Sequence, residues 1–355
     1  MSAVPIRRLP LYGELPPSGP VPRDLVDAFQ RRVSYLRVSL TDRCNYRCTY
    51  CMPEHGVDVI PRAAVASAAE LTEIVRAFVA LGVRRVRLTG GEPTLRADLV
   101  DVVARLGALP GLDDLSLTSN GERLLELAEP LRRAGLHRLN ISIDSLDAER
   151  FHRITRRGNL TRVLAGAERA ATLGFRAVKL NAVAVRGFND DELGSLTEWA
   201  WQRNITPRFI EQMPMAGGEL FVPGEFLPAA EIRAALAQGL GEPLSPDGAA
   251  GEHRGGGPAR YYTTPSARGR LGIISAVTEQ FCDDCNRVRL DAAGRLHACL
   301  AYDDATDLGA ALRAGAGPDD LARAIAAGLV GKRRGHEFTI MGCGAPRKAM
   351  VSMGG

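Results

Sequence analysis

The sequence predicts an α/β fold in which an incomplete (β/α)6 barrel of the TIM type precedes a C-terminal α+β region that covers its open side. Between residues 33 and 213, six short apolar segments alternate with helix-like segments, and this alternation is typical of a parallel sheet. Six strands are two fewer than a closed TIM barrel contains. After residue 220 the alternation stops, so we expect the rest of the chain to cover the opening.

Each predicted strand is a short apolar run bounded by polar or turn-forming residues. The strands cover residues 33–40, 83–89, 114–119, 137–143, 175–185 and 206–213. The first intervening helix is predicted to begin at Ser67, because "SAAE" places a serine and a glutamate as in a capping box. Two further short helices are predicted near residues 307–330.

The chain divides into three predicted parts. Residues 1–30 are Pro-rich and lack the apolar segment of a signal peptide, so they predict a flexible leader. The barrel spans residues 31–219 and the C-terminal region spans residues 220–355. Within that region "GAAGEHRGGGPAR", at 248–260, has too little apolar content to pack and predicts a mobile loop.

The composition excludes several classes of protein. With 45% hydrophobic and 24% charged residues, and no run of eighteen apolar residues, the sequence predicts a globular protein without a membrane span. We expect a cytoplasmic protein that is a monomer or a homodimer. A net charge of +4, from 45 basic and 41 acidic residues, gives no indication of nucleic-acid binding.

Six of the seven cysteines fall into two groups of three. The first group is Cys44, Cys48 and Cys51, and the second is Cys282, Cys285 and Cys299. Without a secretory signal, such close spacing more often means metal binding or catalysis than disulfides. The seventh, Cys343, is interpreted as a bystander thiol.

Residue spacing alone leaves the bound group open. Three thiolates form an incomplete zinc tetrahedron, whereas a four-iron cluster with three protein ligands keeps one iron open to another molecule. For the first group, iron–sulfur binding, zinc binding and simple core packing all stay open. For the second group, His297 could complete a zinc site, although its position two residues before Cys299 makes joint ligation awkward.

The first cysteine group resembles the signature of the radical S-adenosylmethionine (SAM) enzymes. "CNYRCTYC" has the C-x3-C-x2-C spacing with an aromatic residue before the last cysteine, and "RLTGGEP" at 87–93 matches the glycine-rich stretch that contacts SAM. The resemblance implies a [4Fe-4S] cluster whose open iron is chelated by SAM. The positions it implies for SAM contacts are Tyr50, Gly91, Ser142 and Met213.

The second group is similar to that of one branch of this superfamily. C-x2-C-x13-C after the barrel is similar to the enzymes that begin molybdenum cofactor biosynthesis, and the similarity runs from about residue 25 to residue 355. It implies a second [4Fe-4S] cluster whose open iron meets the guanine of a GTP substrate. The implied GTP contacts are Arg37, Arg87, Thr118, Lys179, Arg287, Val288 and Arg289.

Arginine suits this role because its forked guanidinium matches phosphate geometry. The resemblance also implies catalytic roles for five residues. They are Arg37, Arg287, Arg289 and the two terminal glycines, Gly354 and Gly355.

The implied reaction is a lyase-class cyclisation of GTP. A 5'-deoxyadenosyl radical removes the ribose 3' hydrogen, and the C3' radical attacks guanine C8 to give (8S)-3',8-cyclo-7,8-dihydroguanosine 5'-triphosphate. The implied partners are a low-potential electron donor and, as pathway successor, cyclic pyranopterin monophosphate synthase.

Two rival interpretations are weaker. A radical SAM peptide-modifying enzyme would typically carry more auxiliary cysteines than three. A zinc-binding nucleic-acid module is disfavoured by the near-neutral charge, the six βα repeats and the glycine pair at 90–91.

Overall fold

The computed structural model describes residues 19–248 and 257–354. Most of the predicted leader, most of the predicted 248–260 loop and Gly355 therefore lie outside the described residues.

The chain up to Glu211 contains six parallel strands, and all six strand predictions are confirmed. The strands are β1 (Tyr35–Ser39), β2 (Arg85–Thr89), β3 (Asp114–Ser119), β4 (Arg138–Ser142), β5 (Ala177–Ala184) and β6 (Thr206–Glu211). The helices that follow them are α1 (Ala68–Ala80), α2 (Leu99–Gly107), α3 (Leu124–Arg133), α4 (Ala148–Thr155), α5 (Leu160–Thr172), α6 (Leu193–Trp201) and α7 (Ala229–Leu240). The predicted capping box is present, because Ser67 accepts from the Glu70 backbone while the Glu70 carboxylate accepts from the Ser67 backbone.

The C-terminal region extends this sheet at both edges. Its strands are β7 (Ser245–Pro246), β8 (Arg260–Thr263), β9 (Arg270–Ile274), β10 (Arg287–Leu290), β11 (Arg295–His297) and β12 (Thr306–Asp307). β9 pairs in parallel with β6, and β10 pairs in parallel with β1. The sheet order is β12-β11-β10-β1-β2-β3-β4-β5-β6-β9-β8-β7, so the sheet stays open, as an incomplete barrel requires.

Helices of the C-terminal region complete the outer layer. α8 (Leu308–Arg313) and α9 (Pro318–Val330) confirm the two short helices predicted near residues 307–330, and both pack against α1. The last helix among the described residues is the short α10 (Met350–Met353). In the part of the chain that the structure describes, no helix has the length and apolarity needed to cross a bilayer.

The alternation of side chains along each strand separates an apolar layer from a polar one. On β1, Leu36 and Val38 are fully buried in the core, whereas Arg37 lines the interior cavity of the barrel. Because successive side chains point to opposite faces of a strand, this pattern places basic residues inside the barrel and aliphatic ones under the helices.

Candidate active site

One cavity of about 310 Å³ lies at the carboxyl ends of the parallel strands, where the loops of a barrel meet. All six grouped cysteines line it, although the two groups are far apart in the sequence. Cys343 is exposed, which agrees with its interpretation as a bystander.

The first cysteine group lies in the loop that follows β1. The Cys51 backbone donates to the Cys48 carbonyl at 3.0 Å, and the Tyr46 backbone donates to Cys44 Sγ at 3.4 Å. Burial and the nearby Glu92 carboxylate raise the pKa of Cys44 to about 11, and burial and Cys44 raise the pKa of Cys51 to about 12. These thiols hold their protons in the metal-free chain, so binding of a metal centre must release them.

The spacing of the ligands distinguishes a cluster from a single ion. Sulfur ligands of one tetrahedral zinc lie about 3.8 Å apart. Across residues 19–248 and 257–354, no three His, Cys, Asp or Glu side chains come together closely enough to hold one metal ion. The thiolates of an iron–sulfur cluster bind different irons and lie farther apart. Among the described residues, neither cysteine group is therefore arranged as a ready-made site for a single ion.

The second cysteine group surrounds β10 and β11. Cys282 and Cys285 form a turn closed by a backbone hydrogen bond of 3.1 Å, and Cys299 follows β11. Burial raises the pKa of Cys285, but the positive charges of Lys332 and Arg287 outweigh burial and lower it.

His297 is not placed as a metal ligand. Its ring is fully buried, with Nε2 3.2 Å from the Asp291 carboxylate and Nδ1 3.1 Å from the Asp304 carbonyl. Both ring nitrogens thus have oxygen partners, and the zinc interpretation of the second group loses its fourth ligand.

The four predicted SAM contacts all line the cavity. Tyr50 Oη donates to the Asp144 carboxylate at 2.7 Å, which fixes the ring beside the first cysteine group. A Cβ at Gly91 would lie 2.3 Å from the Arg43 carbonyl oxygen, so only glycine fits there. Ser142 ends β4 and Met213 follows β6, and only β5 separates these two strands in the sheet.

Three predicted arginines form a row across adjacent strands. Arg37 on β1 is in register with Arg289 on β10 and with Arg87 on β2. Burial and the charge of Arg289 lower the pKa of Arg37 well below its usual value, and burial and Arg287 lower that of Arg289 to about 10. Like charges side by side destabilise a sheet. This row, called the arginine row below, is therefore suited to binding a polyanion.

Of two further predicted GTP contacts, Thr118 and Lys179, only the first lies in the cavity wall. Thr118 lines the cavity, and its buried hydroxyl has no hydrogen-bond partner among the described residues. Lys179 is not part of the cavity wall; its ammonium donates to Tyr261 Oη at 3.2 Å. Burial and the charge of Arg208 lower the pKa of Lys179 well below its usual value, so the positive field of the site extends to β5.

Met353 and Gly354, close to the end of the chain, reach the arginine row. Arg289 donates to the carbonyls of Gly354 and Met353, at 2.5 and 3.4 Å. Gly354 has φ +70°, and a Cβ there would lie 2.6 Å from Thr89 Cγ2. Val351, buried in the same segment, lies against the first cysteine group. Gly355, the other predicted terminal residue, lies outside the described residues.

Sequence reasoning missed several residues of this site. Arg208 on β6 is 3% exposed, lines the cavity and binds Asn181 Oδ1 at 2.9 Å and Asn140 Oδ1 at 2.6 Å. Lys332 also lines the cavity. For Arg208 a signal was present, because a charged residue in the middle of the apolar strand "TPRFIE" requires a partner. For Lys332, in "GKRRG", the sequence offered none.

Two family models match the chain in succession. The model described as the radical SAM superfamily matches residues 38–200, and the model described as Molybdenum Cofactor Synthesis C matches residues 205–338. Among solved structures, Streptococcus suis SuiB bound to S-adenosylmethionine has a TM-score of 0.55 at 13% identity, over 76% of this chain and 60% of SuiB. This likeness concerns the fold alone.

Curated relatives are much more similar. A protein of Pelotomaculum thermopropionicum named GTP 3',8-cyclase is 43% identical over 312 residues, which are 88% of this chain and 95% of the relative. A GTP 3',8-cyclase of Pseudomonas putida is 45% identical over 323 residues, which are 90% of this chain and 95% of the relative. Together with the matched models, this identity shows that the chain belongs to the GTP 3',8-cyclase family of the radical SAM superfamily.

Proposed function

We propose that this protein cyclises GTP to (8S)-3',8-cyclo-7,8-dihydroguanosine 5'-triphosphate, the first step of molybdenum cofactor biosynthesis. The single observation that carries the proposal is the composition of the cavity wall. Two three-cysteine groups and the arginine row line the same cavity, so two metal centres and a polyanion site would share one space. Family membership supports the same activity.

Each cysteine group would hold a [4Fe-4S] cluster. Cys44, Cys48 and Cys51 would hold the first, with Tyr50, Gly91, Ser142 and Met213 around SAM; Cys282, Cys285 and Cys299 would hold the second. When bound, the first cluster and SAM would supply a 5'-deoxyadenosyl radical that abstracts a hydrogen atom. The three cysteines in each group, one fewer than the four ligands of a structural zinc site, and the membership in the radical SAM superfamily favour this assignment.

The protein's own residues would position the substrate. The arginine row and Arg208 would bind the triphosphate, since forked guanidinium groups pair with phosphate oxygens. Thr118 would gain a hydrogen-bond partner from GTP for its buried hydroxyl. Arg287 and Val288, on the strand that follows the Cys282–Cys285 turn, would lie beside the guanine.

Holding GTP at both ends fixes which hydrogen atom is removed. A primary carbon radical reacts with the nearest suitable C–H bond, so regioselectivity depends on the fixed positions of SAM and the ribose. Guanine at the second cysteine group and triphosphate at the arginine row would leave the 3' carbon facing the first group.

Anaerobic reconstitution followed by isotope transfer tests the function. We expect about eight irons per chain, because two four-iron clusters are proposed. Given GTP deuterated at the 3' position, the reduced enzyme should move the label into 5'-deoxyadenosine and form the cyclised product. Zinc in place of iron, or SAM cleavage that leaves the deuterium on GTP, would refute the proposal.

A Gly354→Ala variant tests the role proposed for the terminal segment. The new Cβ would meet Thr89, and φ +70° disfavours a side chain, so the terminus should leave its position beside Arg289. We expect GTP cyclisation to fall about 10–100-fold, the usual cost of a misplaced catalytic group, while the iron content stays unchanged. Gly224→Ala is the matched control, since its Cβ would meet nothing within 4 Å. Equal rates for both variants would remove the terminus from the mechanism.

We propose that residues 31–219 act as the SAM-binding part and residues 220–355 as the part that holds the second cluster. We also propose that the protein is cytoplasmic and receives its electrons from a low-potential donor. Its product would pass to cyclic pyranopterin monophosphate synthase, the next enzyme of the pathway.

A further inference from the structure

Lys332 is a buried ammonium at the second cysteine group. It follows the end of α9, where its backbone donates to the Leu329 carbonyl at 2.9 Å, and its side chain enters the cavity wall with 3% of its surface exposed. Burying an ammonium is costly unless its hydrogen-bond donors find partners. The hydrogen-bond acceptors around this ammonium therefore indicate why a lysine is buried at this position.

The three donors of this ammonium have three acceptors. Nζ lies 2.8 Å from the Arg287 carbonyl, 2.6 Å from the Ala298 carbonyl and 3.7 Å from Cys285 Sγ. Arg287 follows Cys285 by two residues, and Ala298 immediately precedes Cys299. One ammonium thus ties together the chain segments that carry two of the three cysteines.

The choice of lysine is unusual in this chain. Of its 45 basic residues only Lys179, Lys332 and Lys348 are lysines. A planar guanidinium directs its donors in one plane, whereas an ammonium can direct three donors toward acceptors on different sides. The three acceptors around Lys332 lie on β10, in the residue just after β11 and in the Cys282–Cys285 turn, which is the arrangement that an ammonium satisfies.

The same geometry places a positive charge against a cluster ligand. Reduction of an iron–sulfur cluster adds negative charge, so a nearby cation and a hydrogen bond to a ligand sulfur both favour the reduced form. Of the hydrogen bonds of Lys332, only the one to Cys285 has a sulfur acceptor; the others go to carbonyl oxygens.

We propose that Lys332 is a positioning residue for the second cluster: its ammonium holds the Cys285 and Cys299 segments at their separation, and its charge beside Cys285 Sγ raises the reduction potential of that cluster. The inference rests on the proposed function, because it requires an iron–sulfur cluster at this site. It adds a residue that acts through a ligand and does not itself touch the substrate.

The test uses the full chain with Cys44→Ala, Cys48→Ala and Cys51→Ala, so that only the second cluster gives a paramagnetic signal. Three changes are compared in this background: Lys332→Gln, Lys332→Arg and the control Lys348→Gln. Lys348 is the control lysine because its ammonium also donates to a carbonyl, that of Asp303 at 2.9 Å, although its side chain is less buried than that of Lys332. Iron content and a dithionite titration followed by electron paramagnetic resonance are measured for each.

In the Lys332→Gln variant we expect the ratio of reduced to oxidised second cluster to be at least about tenfold lower at the midpoint potential of the parent. This change corresponds to a midpoint potential that is lower by about 59 mV for a one-electron couple. Lys332→Arg keeps the charge and should lie closer to the parent, and Lys348→Gln should match the parent. An unchanged ratio in Lys332→Gln, or an equal shift in Lys348→Gln, would overturn the inference.

Loss of the cluster is also informative. If Lys332→Gln binds no iron, then iron retained by Lys332→Arg supports the role of the charge, whereas iron lost from both variants overturns it in favour of side-chain packing. A parent background that binds no iron contradicts the proposed function itself, so failure of the proposed function is distinguished from failure of the Lys332 inference.

Discussion

Replacing Cys282 by alanine is expected to abolish GTP cyclisation while the protein continues to cleave SAM under reduction. Cys282 lines the cavity together with Cys285 and Cys299, whereas SAM would bind at the separate first group. Loss of one thiolate should remove the second cluster and lower the iron content from about eight to about four per chain. With guanine no longer held, cyclisation should fall by at least about 100-fold. Product formation, 5'-deoxyadenosine and iron are measured on the same preparation.

Cys343→Ala is the control for this variant. Cys343 is an exposed thiol outside the cavity wall, so its replacement should change neither the iron content nor the rate. If Cys282→Ala still cyclises GTP at the parental rate, the second cysteine group has no part in the reaction.

Replacing Arg37 by methionine is expected to change stability and GTP binding in opposite directions. Arg37 is the central member of the arginine row, in register with Arg289 and Arg87. At an effective dielectric constant near 20, two like charges roughly 5–6 Å apart repel each other by about 3 kcal/mol. The lowered pKa of Arg37 has the same cause, since burial and Arg289 both disfavour its charged form. Without GTP, the variant should therefore gain as much as about 3 kcal/mol in free energy of unfolding.

The same change should weaken GTP binding. A charge-assisted hydrogen bond contributes about 1.5–3 kcal/mol, so we expect about 10–150-fold lower affinity. Thermal unfolding with and without GTP, together with equilibrium binding, measures both effects. Arg105→Met is the control, because Arg105 lies on the exposed face of α2 in an ion pair with Asp101. A ligand-free variant that is less stable than the parent, with unchanged GTP affinity, would contradict a polyanion site at this row.

Local patterns in the sequence were sufficient for most of the fold. The six strands and the Ser67 capping box depend on residues within a few positions of one another, where side-chain periodicity and capping act directly. The role of β10 was not predictable in this way. Its four residues, "RVRL", carry two charges, and they form an interior strand only because β1 provides a parallel partner. The sequence indicated a cover for the open side, and the structure shows strands added at both edges.

The candidate site divides in the same way. The spacing of each cysteine group and the glycine pair at 90–91 are local features, and the sequence by itself determined three cysteines per group. The close approach of the Arg43 backbone, which leaves room only for glycine at position 91, came from the structure. Only the tertiary structure decided that both cysteine groups face one cavity and that Arg208 and Lys332 belong to its wall. It also decided that the ring nitrogens of His297 are hydrogen-bonded to Asp291 and Asp304. The physical reason is that these contacts join segments far apart in the chain. Their energies depend on burial and on charges that meet only after the sheet has formed.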